Sequence, residues 1–484
     1  MCCRTGSGQA TGVTDHADGE AAAVRLLWAA SAVLGEERAA QLRDALAERA
    51  VQLTRVGEAA AAAPERQPPA VLASPGAASM AAWERCRDRI EALEGRLRAW
   101  AWQAPLAGER DPGGAAGALD GYVAGVKDVI DAAGMPTRAG SPLTSPAPVA
   151  ADAPAVARLR AAGAAIAGKT HCTEWALNDP APTRNPWAPD RTPGGSSAGS
   201  AVAVAAGMCT AAVDTQTAGD VLRPAAYNAV VGFKPTIGWV STDGSQPVAP
   251  AIDTIGVTAR RVDDAAAVAA AIADDLARFT RGALSSLPRL GVLTDPFADD
   301  IGPEMRANFS QTLQQLTGAG ANLAPVSCPV DLSLVHAAHR IITFAECAAE
   351  HLAAGRHSRK EYGPRARELI DLGLVTPAPA YLHAQQVRRN TARRLATMFA
   401  DADVILLPVV PEPAPAQATT GDSRLQIPWT LCGFPALSLP TGLSPTGLPL
   451  AIQFIADRRN ELALLAAAHW SEQVLALNLA PPLR

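Results

Sequence analysis

The run "PGGSSAGSAVAVAAGMCTAAVDT", Pro193 to Thr215, limits the fold more than any other stretch. Its paired glycines and serines make a tight loop. The small residues that follow let a helix lie close to its neighbours, and the run ends in a short apolar strand. Loop, small-residue helix and buried strand in succession form one unit of an alternating α/β sheet. The alternation recurs along the chain. "GYVAGVKDVID" reads as a strand and a polar turn, "APAVARLRAAGAAIAGKT" as a helix and a strand, and "LPRLGVLTDP" and "ADVILLPVVP" as further strands. A mixed α/β sheet with helices on both faces is predicted.

At 484 residues the chain exceeds a single ordinary core, so one large domain with extensions, or two domains, is expected from length. Residues 1–19 are polar and read as a disordered tail. Residues 20–60 carry apolar positions at helical spacing and read as a helical extension. Residues 61–79, with Pro64, Pro68, Pro69 and Pro75, read as a linker, and the main domain is set at 80–484. It opens on "AAWERCRDRIEALEGRLRAWAW", an amphipathic helix with Ile90, Leu93 and Leu97 on one stripe.

Hydrophobic residues are 48% and charged residues 18% of the chain, within the globular range. A net charge of −5 offers no extended basic surface, so neither nucleic acid nor an anionic membrane is an expected partner. A small-molecule substrate is expected, and a homodimer stays open. The eight cysteines are scattered without a C-x-x-C pair, and the N-terminus lacks a basic segment followed by an apolar run. The expected location is the cytoplasm.

Three patches could carry chemistry: "GVKDVID" with Lys127, "TPGGSSAGS" with Ser196 and Ser197, and "TQTAGDVLRPAAYNAVVGFKPT" with Asp220. Taken singly, each has a plain reading as a surface ion pair, a helix N-cap or a strand-to-helix turn. Taken in order they resemble the amidase signature family, and "GFPALSLPTGLSPTGLPLAIQFIADRRNELALL" resembles its closing segment. The resemblance implies an α/β/α fold around a mixed, mostly parallel sheet, with no metal and no cofactor. By position it makes Lys127 the base and Ser196 the relay serine, preceded by a cis peptide bond. The N–H groups of Thr217, Ala218 and Gly219 become an oxyanion hole, and Gly195, Ser197, Trp429 and Cys432 become substrate-contacting positions.

One residue departs from that pattern. Where the family places its nucleophilic serine, this chain has Asp220. A carboxylate there opposes a developing oxyanion and favours a charged lysine, so ordinary acyl-serine hydrolysis is expected to fail. The favoured reading is an enzyme of amidase ancestry with altered chemistry, Asp220 serving as acid/base or as a carboxylate nucleophile. An inactivated amide hydrolase, a ligand-binding relative and a structural component of a complex remain open. Among other residues, His336 and His339 lack a third ligand and are assigned to surface or packing roles. His171 and Arg223 are assigned structural roles. His351, Tyr362 and Tyr381 are placed near the pocket entrance, with packing as their preferred role.

Overall fold

Three segments buried at every position, Val123–Lys127, Ala165–Thr170 and Ala211–Gln216, show the pattern of strands covered on both faces. In this computed structural model, which describes residues 77–104, 117–274, 287–293, 295, 300–354 and 361–483, they belong to one eleven-stranded sheet. The strands are β1 (Trp100–Gln103), β2 (Val123–Lys127), β3 (Ala165–Thr170), β4 (Ala211–Gln216), β5 (Val231–Lys234) and β6 (Thr254–Ala259). They continue as β7 (Leu290–Leu293), β8 (Leu323–Val326), β9 (Val404–Pro408), β10 (Ala436–Leu443) and β11 (Pro449–Ala456). Their order across the sheet is β1-β3-β2-β4-β6-β5-β10-β11-β9-β7-β8.

The sheet is mixed, as expected, but it is not mostly parallel. Six of its ten pairings are antiparallel. Connection length accounts for part of this. β10 and β11 are separated only by a turn at 444–448, closed by Ser444 N–H and the Leu448 carbonyl, and so short a link permits only a hairpin. The parallel trio β3-β2-β4 contains the crossover helices and carries the chemistry-bearing segments at its C-terminal ends.

The helices begin with α1 (Ala77–Leu97), α2 (Pro154–Ala161), α3 (Ala198–Ala205), α4 (Leu222–Asn228), α5 (Val262–Ile272) and α6 (Pro303–Gly318). They end with α7 (Leu332–Ala353), α8 (Pro364–Leu374), α9 (Ala378–Ala396), α10 (Ile427–Cys432) and α11 (Glu461–Leu475). Side chains alternate across each strand, so β9 sends Val404 and Leu406 into one cluster and Ile405 and Leu407 into another. α2, α5 and α11 cover the first face. α7, α9 and α10 cover the second, and α1 packs with α3 in a third cluster.

α1 buries Ile90, Leu93 and Leu97 as its stripe predicts, and it starts at Ala77, inside the segment read as linker. It stops earlier than expected. "WAWQ" leaves the helix and pairs antiparallel with β3 as β1, where alternating tryptophans suit a half-buried edge. The expected tail, the helical extension and residues 61–76 lie outside the described residues. No helix among the described residues is long and apolar enough to cross a membrane.

Candidate active site

Lys127 is the last residue of β2 and Thr215 lies near the end of the neighbouring parallel strand β4, so both point into the same crevice at the sheet's C-terminal edge. The Lys127 side chain is fully buried. Its Nζ makes three hydrogen bonds, to Ser196 Oγ at 2.7 Å, Thr215 Oγ1 at 2.9 Å and the Thr215 carbonyl at 3.1 Å. Ser196 sits in the loop before α3, and the Gly195–Ser196 peptide bond is cis. Gly194 has φ +86°, and a Cβ there would lie 2.7 Å from Pro224 Cα, so the residue type is imposed twice, by backbone region and by space.

The segment after β4 turns sharply into α4. No side chain of the N-cap residue holds the helix start; Gln216 does it instead, its Oε1 accepting from the N–H groups of Val221 and Leu222. Asp220 lies inside this turn, 8% exposed. Its Oδ2 accepts from Thr217 N–H at 2.9 Å and Ala218 N–H at 2.8 Å, and its Oδ1 accepts from Ser196 N–H at 3.2 Å. Arg223 stands 3.9 Å from Oδ1, while its Nη2 donates to the Gly195 carbonyl at 2.6 Å. The backbone donors expected to receive a substrate oxyanion at Thr217 and Ala218 are thus occupied by the protein's own carboxylate. Gly219 gives the carboxylate no hydrogen bond, and the third donor is Ser196.

The electrostatics follow from this packing. Burial pulls the Lys127 amine below its usual range, against Asp220, Cys172, Asp214 and Asp253, which favour the ammonium form. Burial also opposes ionisation of Asp220, but Lys127, Arg223 and the Ala218 and Thr217 N–H groups outweigh it, and the carboxyl lies below its ordinary value. Behind the turn, Asp253 Oδ1 accepts from Thr217 Oγ1 at 2.6 Å, and burial pushes its carboxyl up to about 6.

Above the turn opens a cavity of about 1040 Å³ whose floor includes Thr217, Ala218 and Asp220. α7 supplies one wall with His336, His339, Arg340, Thr343 and Phe344, and the segment from Pro411 to Ile427 supplies another. His339 Nε2 is 2.9 Å from the Thr217 carbonyl. The structure therefore brings together Lys127, Ser196, Thr217, Ala218 and Asp220. It adds His336 and His339, for which the sequence leads one to expect surface or packing roles; their i, i+3 spacing is the available signal.

Other positions fall elsewhere. Trp429 and Cys432, expected at the pocket wall, are 1% and 0% exposed in the core, and Ile427, earlier on the short helix α10, reaches the cavity in their place. Gly195 and Ser197 are packed beneath the surface and do not line the cavity; a Cβ on Gly195 would lie 2.8 Å from Thr420 Cγ2. His351 and Tyr362 pack against Trp175, with His351 Nδ1 2.9 Å from the Tyr362 hydroxyl, and Tyr381 donates to Glu346. Among the described residues no cluster of three or more His, Cys, Asp or Glu side chains is arranged to hold a metal ion.

The family model described as amidase matches residues 80–465. A glutamyl-tRNA(Gln) amidotransferase subunit of Synechococcus sp. (strain RCC307) is 31% identical over 457 residues, spanning 81% of this chain and 93% of that protein. The native peptide amidase of Stenotrophomonas maltophilia has a TM-score of 0.71 and 30% identity, over 83% of this chain and 95% of that one. A chain from a vestigial protein complex bearing on the evolutionary origins of an s-triazine catabolic enzyme has a TM-score of 0.74 and 28% identity, over 83% and 96%. With the match running through both the lysine and the Gly/Ser segments, the chain belongs to the amidase signature family.

Proposed function

We propose that this chain is an amidase-family enzyme that acts on a small molecule without forming an acyl-serine intermediate, Asp220 standing at the nucleophile position. The observation that carries the reading is the Asp220 carboxylate seated on the N–H groups of Thr217, Ala218 and Ser196. In the expected oxyanion hole a tetrahedral oxyanion needs the Thr217 and Ala218 donors, and a fixed negative charge seated on them repels it. A carboxylate stabilised by three N–H groups and two nearby cations is also a poor nucleophile and a weak base. Its role is then to hold charge. The remaining chemistry is proton transfer, of the kind that serves elimination, isomerisation or cyclisation, with Lys127 and Ser196 as a buried proton-donating pair.

A cavity of about 1040 Å³ stands at the upper end of small-molecule sites and supports a substrate of that class. The test is turnover on a broad panel of primary and secondary amides. The wild type releases no amine, whereas Asp220→Ser, which frees the donors and restores a hydroxyl beside Lys127 and Ser196, gains hydrolysis. Amide hydrolysis by the wild type overturns the proposal.

A second reading, a ligand-binding or complex-forming role without turnover, draws on the same saturation of Asp220 and on the fact that the amidotransferase relatives are themselves subunits. It predicts that the wild type binds members of the panel yet catalyses no exchange of their protons with D2O.

A further inference from the structure

His339 reaches the turn from α7, 122 residues distant in sequence from the Thr217 it touches. Its Nε2 is 2.9 Å from a carbonyl oxygen, and a carbonyl has no proton to give. Nε2 therefore carries the N–H and donates it, and the neutral ring keeps its lone pair on Nδ1. Nδ1 has no hydrogen-bond partner among the described residues, and the ring lines the cavity beside Ala218 and Asp220.

One peptide unit joins the ring to the carboxylate. The Thr217 carbonyl accepts from His339, and the N–H of that same peptide, on Ala218, donates to Asp220 Oδ2 at 2.8 Å. The negative charge at one end polarises the amide and favours positive charge on the ring at the other. A base held in one tautomer, with its counter-charge in place, is the result.

We infer that His339 is the base that removes a proton from the molecule bound in the cavity, with Asp220 acting through the Thr217–Ala218 peptide as its positioning group. The step balances within ligand and ring. The ligand's bond to hydrogen breaks, its electron pair stays on the ligand, and the proton bonds to Nδ1 to give an imidazolium whose charge Asp220 offsets. Return of that proton to a second ligand atom completes an isomerisation; delivery to a leaving group completes an elimination. Burial keeps the imidazole below its ordinary value, so the ring is neutral at neutral pH; the Thr217 carbonyl and Asp220 pull the other way, and His336 and Arg340 on the same helix add to the lowering.

The inference rests on the proton-transfer reading above but is tested separately. Diethyl pyrocarbonate modifies neutral imidazoles with an accessible lone pair, and peptide mapping by mass reads each histidine. In the full-length protein His339, 5% exposed but lining the cavity, is modified while His351, 2% exposed, bonded to Tyr362 and away from the cavity, is spared. The midpoint of the pH dependence of His339 modification moves to lower pH in Asp220→Asn, because the counter-charge is gone. His339→Gln, whose amide still donates to the Thr217 carbonyl, keeps its melting temperature and loses the modification.

An unmodified His339, or a midpoint unmoved by Asp220→Asn, overturns the inference. So does an Nδ1–H tautomer in a spectrum of the 15N-histidine-labelled wild type, which needs no variant. Amide hydrolysis by the wild type would sink the closed-hole reading and leave the tautomer intact; an Nδ1–H tautomer would do the reverse.

Discussion

Replacing Asp220 by Asn keeps the side chain's shape and removes its charge, and the cost can be worked from its contacts. The amide oxygen can still accept from Thr217 and Ala218 N–H, now as neutral hydrogen bonds. The amide nitrogen then faces Ser196 N–H, donor against donor, which leaves a buried group unsatisfied at about 1–3 kcal/mol. Lys127 and Arg223 also lose their counter-charge, and breaking a buried ionic cluster from one side raises the total to roughly 3–5 kcal/mol. Lys127 relieves part of this by shifting toward the neutral amine, since Asp220 is the foremost charge holding it protonated. For a fold of this size about 1–1.5 °C accompanies each kcal/mol, so a melting temperature lower by ~4–6 °C at pH 7.5 is expected. The sign of the pH dependence is fixed as well. A carboxyl whose folded pKa is depressed stabilises the fold above its ordinary range and loses that contribution as pH falls through the folded value, so the gap between wild type and variant narrows below about pH 4. Differential scanning fluorimetry of the two proteins between pH 2 and 8 checks this. An unchanged or raised melting temperature in Asp220→Asn refutes the reasoning, because it means that the carboxylate sits in its site under strain and is not held there by the three N–H groups.

Further consequences concern groups around the site. Asp253 has its folded pKa raised to about 6, so its favourable contribution is present below the ordinary carboxylate range and is lost as pH rises through 6. Asp253→Asn, able to accept from Val248 or Ala249 N–H and to donate to Thr217 Oγ1, flattens that loss and gains up to about 3 kcal/mol at pH 7.5, read by denaturant unfolding. Lys234, the last residue of β5, is fully buried with its amine lowered to about 7, chiefly by burial, so it costs stability at neutral pH that is regained as pH rises from 7 toward 10. Lys234→Met removes that slope and raises the melting temperature at pH 7, an outcome that a melt series at several pH values checks. Gly194→Ala places a methyl group against the Pro224 backbone at positive φ and is expected to cost more than about 2 kcal/mol, seen as loss of soluble, cooperatively melting protein.

The residues that the structure brings together at the candidate site were legible because they lie in short local patterns. The "GVKD" strand end, the "PGGSS" loop and the "TAGD" turn each announce a backbone event, and their order along the chain announces the family. The parallel core β3-β2-β4 was legible for the same reason, as helix and strand alternate there. What stayed hidden depends on distant pairing. Nothing local in "ADVILLPVVP" says that β9 runs antiparallel to β11 and parallel to β7. "WAWQ" continued a helical stripe on paper, and only its contact with β3 makes it a strand. His339 meets Thr217 through a fold closed over more than a hundred residues, so the sequence leaves it and His336 in surface or packing roles, whereas the ring is aimed at a peptide. Trp429 and Cys432 sit on a six-residue helix whose rotation decides which side chain faces the cavity, and sequence spacing does not fix that rotation.

The proposal that Asp220 occupies an anion hole is tested most directly by a fluorophosphonate probe, which reacts where an activated hydroxyl and free oxyanion donors meet. Intact mass of the wild-type chain after exposure is expected to be unchanged, while Asp220→Ser gains one adduct that maps to the peptide containing position 220. An adduct on the wild-type peptide spanning Thr215 to Arg223, or on Ser196 beside it, would contradict the claim that Asp220 closes this site to acyl chemistry.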